Sequence, residues 1–129
     1  MKPQKICIIG DGLTGLTTGA VLSKQNLSID LYTDNKKKKK IVDSRTTAIS
    51  ESNFQYIKSS LNLSNKNFFW TCKKINLFYQ DKNKITNFLN FSEKNKNLMH
   101  IFQNKDLKKK LNLIISIKKN IKLIKKKIE

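Results

Sequence analysis

Glycine is scarce in this chain, at four residues in 129. Proline, histidine, tryptophan and arginine each occur once, and cysteine twice. Two isolated cysteines, Cys7 and Cys72, make neither a disulfide framework nor a metal site. Cys7 lies inside an apolar run and reads as a core residue, and a reducing, cytoplasmic setting is the default for such cysteine usage. No run reaches the roughly 18 apolar residues of a membrane span. The short apolar stretch within 1–13 is broken by Gly and Asp, which makes it a poor signal peptide. No internal repeat is present. The length is that of one domain.

Acidic residues are also few, at nine, so the net charge is +18. Such a balance ordinarily points to nucleic acid or an anionic membrane surface. Composition offers a simpler source. Lys, Asn and Ile account for 57 of the 129 residues (26, 15 and 16), and their codons are all rich in A and T. The run Lys36 to Lys40 then reads as a solvated loop. Aromatics do not recur with basic residues in a base-reading pattern, so no nucleic-acid partner is expected.

Lys5 to Ile9 is a short apolar run that predicts a buried strand. Leu13 to Gln25 carries Leu13, Leu16, Ala20 and Val21 at helical spacing. Ser28 to Thr33 predicts a second strand with Ile29 and Leu31 on one face. Ser50 to Leu63 predicts a helix through Phe54, Ile57 and Leu61. Lys73 to Phe91 alternates, breaks at Asp81 to Lys84, and predicts a hairpin with a four-residue loop. Met99 to Phe102 predicts a short strand, Leu107 to Lys119 a helix, and Ile121 to Ile128 a last strand. The order fits an α/β fold of the Rossmann-like, FAD/NAD(P)-binding kind with an inserted antiparallel β-hairpin.

All four glycines fall in one ten-residue window, at Gly10, Gly12, Gly15 and Gly19. The first three make G-x-G-x-x-G directly after a predicted strand and at the opening of a predicted helix, which is the context this motif needs. Gly10 permits the tight turn, Gly12 lets the backbone approach a pyrophosphate, and Gly15 lets helix and strand pack closely. Leu13 and Thr14 open the helix, whose free N–H groups and positive dipole end suit phosphate. The motif expects an acid about 20 residues on to bind ribose hydroxyls. Asp34 fits, or Thr33 stands there in its place. Arg45 is the only Arg in a chain whose composition favours Lys, and marks a position that needs a planar, multi-donor guanidinium.

The strand, glycine motif and helix, followed by Asp43-Ser44-Arg45-Thr46-Thr47-Ala48-Ile49-Ser50, resemble the ubiquinone-biosynthesis hydroxylases. These are FAD-dependent aromatic monooxygenases of the para-hydroxybenzoate hydroxylase class. Met99 to Leu107, with Gln103-Asn104-Lys105-Asp106-Leu107, is similar to the family's E-N-R-x-L segment, with Gln103 where Glu is usual and Lys105 where Arg is usual. The hairpin falls where the family has its ribbon. The resemblance implies that Gly10, Gly12, Leu13, Thr14 and Gly15 hold the FAD pyrophosphate. It implies that Thr33 or Asp34 lies by the adenosine ribose, that Arg45 contacts FAD, and that Gln103 and Asn104 lie toward the flavin. The implied chemistry is hydroxylation of an aromatic ring, a ubiquinone precursor, with NAD(P)H as electron donor and O2. An aromatic or quinol substrate, and association with the inner membrane surface or a ubiquinone-biosynthesis complex, follow from the same resemblance.

The family's chains are several times longer, so 1–129 is expected to be an incomplete FAD-binding domain, inactive alone. No side chain is expected to act as a catalyst, and His100 is read as a strand residue. Two rival readings remain open. One is a nicotinamide-dependent Rossmann oxidoreductase, which shares the glycines but leaves Asp43-Ser44-Arg45 unexplained. The other is a non-enzymatic membrane-surface or nucleic-acid binder using a helical stripe of Ile117, Ile121, Ile124 and Ile128.

Overall fold

The computed structural model describes residues 2–33, 43–63 and 69–126. In chain order the elements are β1 (Gln4–Ile9), α1 (Leu13–Leu22), β2 (Leu27–Thr33) and β3 (Thr46–Ser50). Next come α2 (Glu51–Leu61), β4 (Phe69–Cys72), β5 (Lys74–Asp81) and β6 (Lys84–Ser92). Then follow β7 (Met99–Gln103), α3 (Asn104–Ser116) and β8 (Ile121–Lys125). Two compact units result, Met1–Arg45 with Gln103–Glu129, and Thr46–Phe102. The predicted Lys36 to Lys40 loop and the end of the last predicted strand, at Ile128, lie outside the described residues.

The first unit is a three-stranded parallel sheet in the order β1-β2-β8. The expected strand-helix-strand unit is present, with β1 and β2 parallel and Gly12 at the turn as the cap of α1. A parallel neighbour cannot be reached by a tight turn, so α1 is the crossover. Ile29 and Leu31 of β2 are fully buried, as the alternation predicts. Leu16 and Ala20 of α1, and Leu107, Leu111 and Ile115 of α3, complete this core. The spacing of four between those α3 leucines and isoleucine places them on one helical face. The packing centre is Gly19, where an added Cβ would meet Leu31, Ile8 and Ile115 at 3.2, 3.7 and 4.0 Å. Asn120 clips the far end of the sheet: its side-chain amide donates to the carbonyls of Ser23 and Leu27, at 3.0 and 2.9 Å.

Two expectations are corrected here, and one rival reading is excluded. Cys7 is exposed, not core. Lys5, Cys7 and Ile9 alternate onto the sheet face opposite α1, and Ile9 is 68% exposed. An apolar run implies a strand buried on both faces only when both are covered. The strand expected from Ile121 is present as β8 over Ile121–Lys125, so the rival helical stripe through Ile117, Ile121 and Ile124 does not form. No described helix is long and apolar enough to cross a membrane. The hairpin loop has two residues, Lys82 and Asn83, rather than four, because Lys82 takes a left-handed φ of 45° and lets Asp81 pair with Lys84.

The second unit holds the sheet β3-β7-β4, the hairpin β5-β6 and α2. The Ser50 hydroxyl caps α2 by accepting from the Asn53 N–H, and Asn62 ends the helix in the left-handed conformation. Its core is aromatic. Phe54 stacks on His100 at 3.7 Å between ring centroids, and Phe69 meets Phe54 and Phe102 edge-on at 4.8 and 5.3 Å. The hairpin carries a bulge beside Leu77 and Phe78, with Phe88 as the extra residue opposite. Phe88, Leu89 and Phe91 are exposed.

Leu111 and Leu113 sit two residues apart on α3 and separate core from propensity. Leu111→Ala should cost about 2–5 kcal/mol of stability, whereas Leu113→Ala, at an exposed position, should stay within roughly 0.5 kcal/mol. Urea unfolding followed by circular dichroism measures both, and equal losses would contradict this assignment of the core.

Candidate nucleotide site

The carboxyl ends of β1 and β2 carry the glycine turn. Gly10 leaves β1 with φ +109°, a conformation that side chains other than hydrogen rarely adopt. Its N–H donates to the Tyr32 carbonyl at 2.9 Å, which pins the turn beside the end of β2. Thr33 is the next residue, so it shares this edge of the sheet with Gly10. Asp34, the alternative ribose residue, lies outside the described residues.

Gly12 is the cap of α1 and has no side chain to satisfy the first helical N–H groups. A Cβ there would meet nothing within 4 Å, so the open side of the turn is free for a ligand. Gly15 is the opposite case. A Cβ would stand 2.1 Å from the Gly10 carbonyl oxygen, so the helix could not start so close to the strand. Leu13 and Thr14 occupy the first helical positions. An uncapped helix N-terminus with an open approach suits the diphosphate of a dinucleotide, both through its N–H groups and through the dipole. The residues present therefore fit the phosphate part of the implied cofactor.

The structure joins the other predicted segments to this turn. The Asp43 carboxylate accepts from the Arg45 guanidinium through both oxygens, at 2.8 and 2.9 Å, and from the Arg45 backbone N–H at 3.1 Å. This bidentate pairing holds the Asp43 carboxyl at a pKa of about 2, below the usual carboxylate range. Lys108 adds a smaller pull in the same direction. The Arg45 carbonyl accepts from the Asn104 N–H at 3.0 Å, at the first residue of α3, and Gln103 is the cap of that helix. From α3, Lys108 donates to Asp11 of the glycine turn at 3.2 Å. Asp43-Ser44-Arg45, Gln103-Asn104 and Gly10 to Gly15 are thus connected through named contacts in one unit. The Arg45 guanidinium itself is largely exposed and spends its contacts on Asp43. A shallow groove of about 560 Å³ runs beside α3, lined by Asp43, Lys105, Lys108, Lys109 and Asn112 among others.

Lys108 and Asp11 were not singled out in the sequence. Lys108 is one of four lysines between Lys105 and Lys110, and composition does not separate them. Its position four after Asn104 was the available signal, since that spacing stacks the two on one helical face. His100 is a buried strand residue in the other unit, stacked on Phe54 and bonded through Nε2 to the Glu51 carboxylate at 2.6 Å. Gln55 and then His100 hold the Glu51 carboxyl below its ordinary value.

No protein-family model matches the chain, and no curated protein matches it. Solved structures do. The chain superposes with a TM-score of 0.70 and 9% identity on PqsL of Pseudomonas aeruginosa, a probable FAD-dependent monooxygenase, over 95% of this chain and 32% of that one. The tetrameric form of 2-methyl-3-hydroxypyridine-5-carboxylic acid oxygenase matches at 0.62 and 14% identity, over 95% and 32%. FqzB matches at 0.61 and 17% identity, over 95% and 29%. At such identities the likeness is one of fold, a Rossmann-like α/β fold. The chain spans about a third of the length of the structures it matches.

Two variants test the turn. Gly12→Ala should fold with near-parental stability yet lose affinity for ADP, since its Cβ meets only open space in the fold. Gly15→Ala should lose about 1–3 kcal/mol or more of stability by overpacking. Thermal melts with and without ADP report both, and an unperturbed Gly15→Ala would show that the close approach is not required. Carbon-detected NMR titration tests the pair at Arg45. Asp43 should titrate near 2 and return toward ordinary aspartate values in Arg45→Gln. The sign follows: a depressed carboxyl stabilises the fold above its unfolded pKa, and this contribution fades as pH falls through 2.

Proposed function

We propose that the chain is the FAD-binding portion of a flavin-dependent monooxygenase that hydroxylates an aromatic ring, with a ubiquinone precursor as substrate and NAD(P)H as donor. In this reading 1–129 is an incomplete FAD-binding domain with the hairpin as its insertion. One observation carries it: Asp43-Ser44-Arg45 and Asn104, the residues on which the resemblance rests, meet through the Arg45 carbonyl and the Asn104 N–H. A nicotinamide enzyme needs the glycine turn but has no call on that junction. The likeness to PqsL and to the pyridine-carboxylate oxygenase supports the same class.

Gly10, Gly12, Leu13, Thr14 and Gly15 would hold the diphosphate through backbone N–H groups. Thr33 would face the adenosine ribose, with Asp34 following it. Arg45 would serve the cofactor with the fixed planar charge that Asp43 orients, and Gln103 and Asn104 would stand toward the flavin. When bound, FAD supplies the electron transfer and oxygen activation, and the protein's part is to bind, orient and exclude water. The substrate is an aromatic small molecule. The setting proposed is cytoplasmic, against the inner membrane surface where a quinone precursor would be found.

The 129-residue chain should bind ADP measurably and FAD no more tightly, because the turn addresses the diphosphate that both share. It should show no aromatic-stimulated NAD(P)H oxidation. Fluorescence titration of FAD and a coupled NAD(P)H assay with a quinol analogue measure this. Micromolar FAD binding with substrate-stimulated oxidation would refute the partial-domain reading, and tighter binding of NADH than of FAD would favour a nicotinamide enzyme.

A further inference from the structure

The residue between the first two glycines is chemically at odds with its place. Asp11 puts a carboxylate in a turn whose free N–H groups suit a diphosphate, and like charges a few ångströms apart repel. Lys108 answers that charge. Its Nζ lies 3.2 Å from Asp11 Oδ2, with both side chains about a third exposed. It also stands close enough to Asp43 to depress that carboxyl. Asp43 is already neutralised by Arg45 through two hydrogen bonds, which leaves the Lys108 charge to Asp11.

We propose that Lys108 is a positioning residue for an ADP-containing dinucleotide: it neutralises Asp11 and thereby makes the glycine turn receptive to a diphosphate. This rests on the dinucleotide reading of the turn. The net charge of +18 does not make Lys108 redundant. Exposed charges more than about 8–10 Å away are largely screened at physiological salt. A contact ion pair is felt locally, and Lys108 is Asp11's ion-pair partner among the described residues. The pair also ties α3 to the turn, so the helix that begins at the Arg45 carbonyl reports on the phosphate site.

The test is a charge cycle on the 129-residue chain, with ADP as the probe and the amide shifts of residues 10–15 as the readout. Lys119→Ala, at an exposed position after α3, controls for the loss of one positive charge anywhere. Lys108→Ala should weaken ADP by about tenfold at low salt, and Asp11→Asn should tighten it by roughly threefold. The double variant should return to within about twofold of the parent, since a neutral Asn needs no counter-charge. Circular dichroism checks the fold, with Lys108→Gln used if the alanine variant fails it. A double variant as weak as Lys108→Ala would show that Lys108 grips the phosphate itself and would overturn the proposed role. So would a Lys108→Ala no weaker than Lys119→Ala, or an Asp11→Asn that loosens ADP. A folded parent chain that binds neither ADP nor FAD would overturn the dinucleotide reading and this role together.

Discussion

Helix α1 lies against the sheet at a distance that only glycine permits. At Gly15 a single methyl group would collide with the Gly10 carbonyl at 2.1 Å, and at Gly19 it would press on Leu31 at 3.2 Å. These two positions are one helical turn apart, so they hold one face of α1 down on β1 and β2. Much else in the first unit depends on that closeness. It lets Ile115 of α3 reach the same point as Leu31 and Ile8. It forces the chain to turn sharply at Gly10, with the positive φ that follows. It also brings the first turn of α1 to the end of β1 with its N–H groups uncapped. The packing requirement and the candidate phosphate site are therefore one piece of backbone geometry. Gly10 is explained by its positive φ, whereas Gly12, with an ordinary φ of −71° and nothing within 4 Å of an added Cβ, is the member of the motif that neither packing nor backbone conformation explains.

Electrostatics adds selectivity that composition alone cannot. A chain this basic attracts anions everywhere, so net charge says little about where a ligand sits. The scarce acids are more informative. Asp30 pairs with Lys5, Asp43 with Arg45, Glu93 with Lys96, and Asp11 with Lys108. Exposed pairs of this kind add little to stability. Their meaning is geometric. The Asp43 and Arg45 pair is bidentate, which fixes a planar group that a lysine could not imitate. The Arg45 carbonyl then sets where α3 begins.

The β1-α1-β2 unit was legible because its signals are local. Glycine positions, a five-residue apolar run and alternation in Ser28 to Thr33 each act within one element. β3 and β4 were missed because they are short and their pairing is remote: Phe69 to Cys72 takes its partners from Met99 to Phe102, thirty residues on. The hairpin was read correctly in place but not in turn length. Lys82 carries the left-handed φ there, and lysine is not a residue that announces it. Cys7 was misplaced because an apolar run does not say how many faces of the sheet are covered. The contact partners of the site were legible only as separate segments. That Arg45 would serve α3 through its backbone, 59 residues away, and that Lys108 would serve the glycine turn, 97 residues away, depends on chain returns that no local pattern encodes.

The same distinction separates what the site can bind from what it can catalyse. Phosphate recognition needs only backbone donors at a helix start, and a strand-turn-helix within the first 22 residues supplies them. A flavin ring needs flat apolar walls and a way to exclude water, which a three-stranded sheet with helices on one face does not provide. The described hairpin offers apolar side chains, with Ile75 across from Phe91 and Leu77 across from Leu89 on one face. A two-stranded ribbon standing alone in water is marginal, and its cross-strand pairs contribute only about 0.2–1 kcal/mol each. Such a ribbon gains stability by being covered. Under the proposed reading, the nucleotide end would need only this turn, whereas the reactive end of the cofactor would require surfaces of a different kind. That asymmetry is why the turn, not the hairpin, is the part of this chain whose chemistry can be measured in isolation.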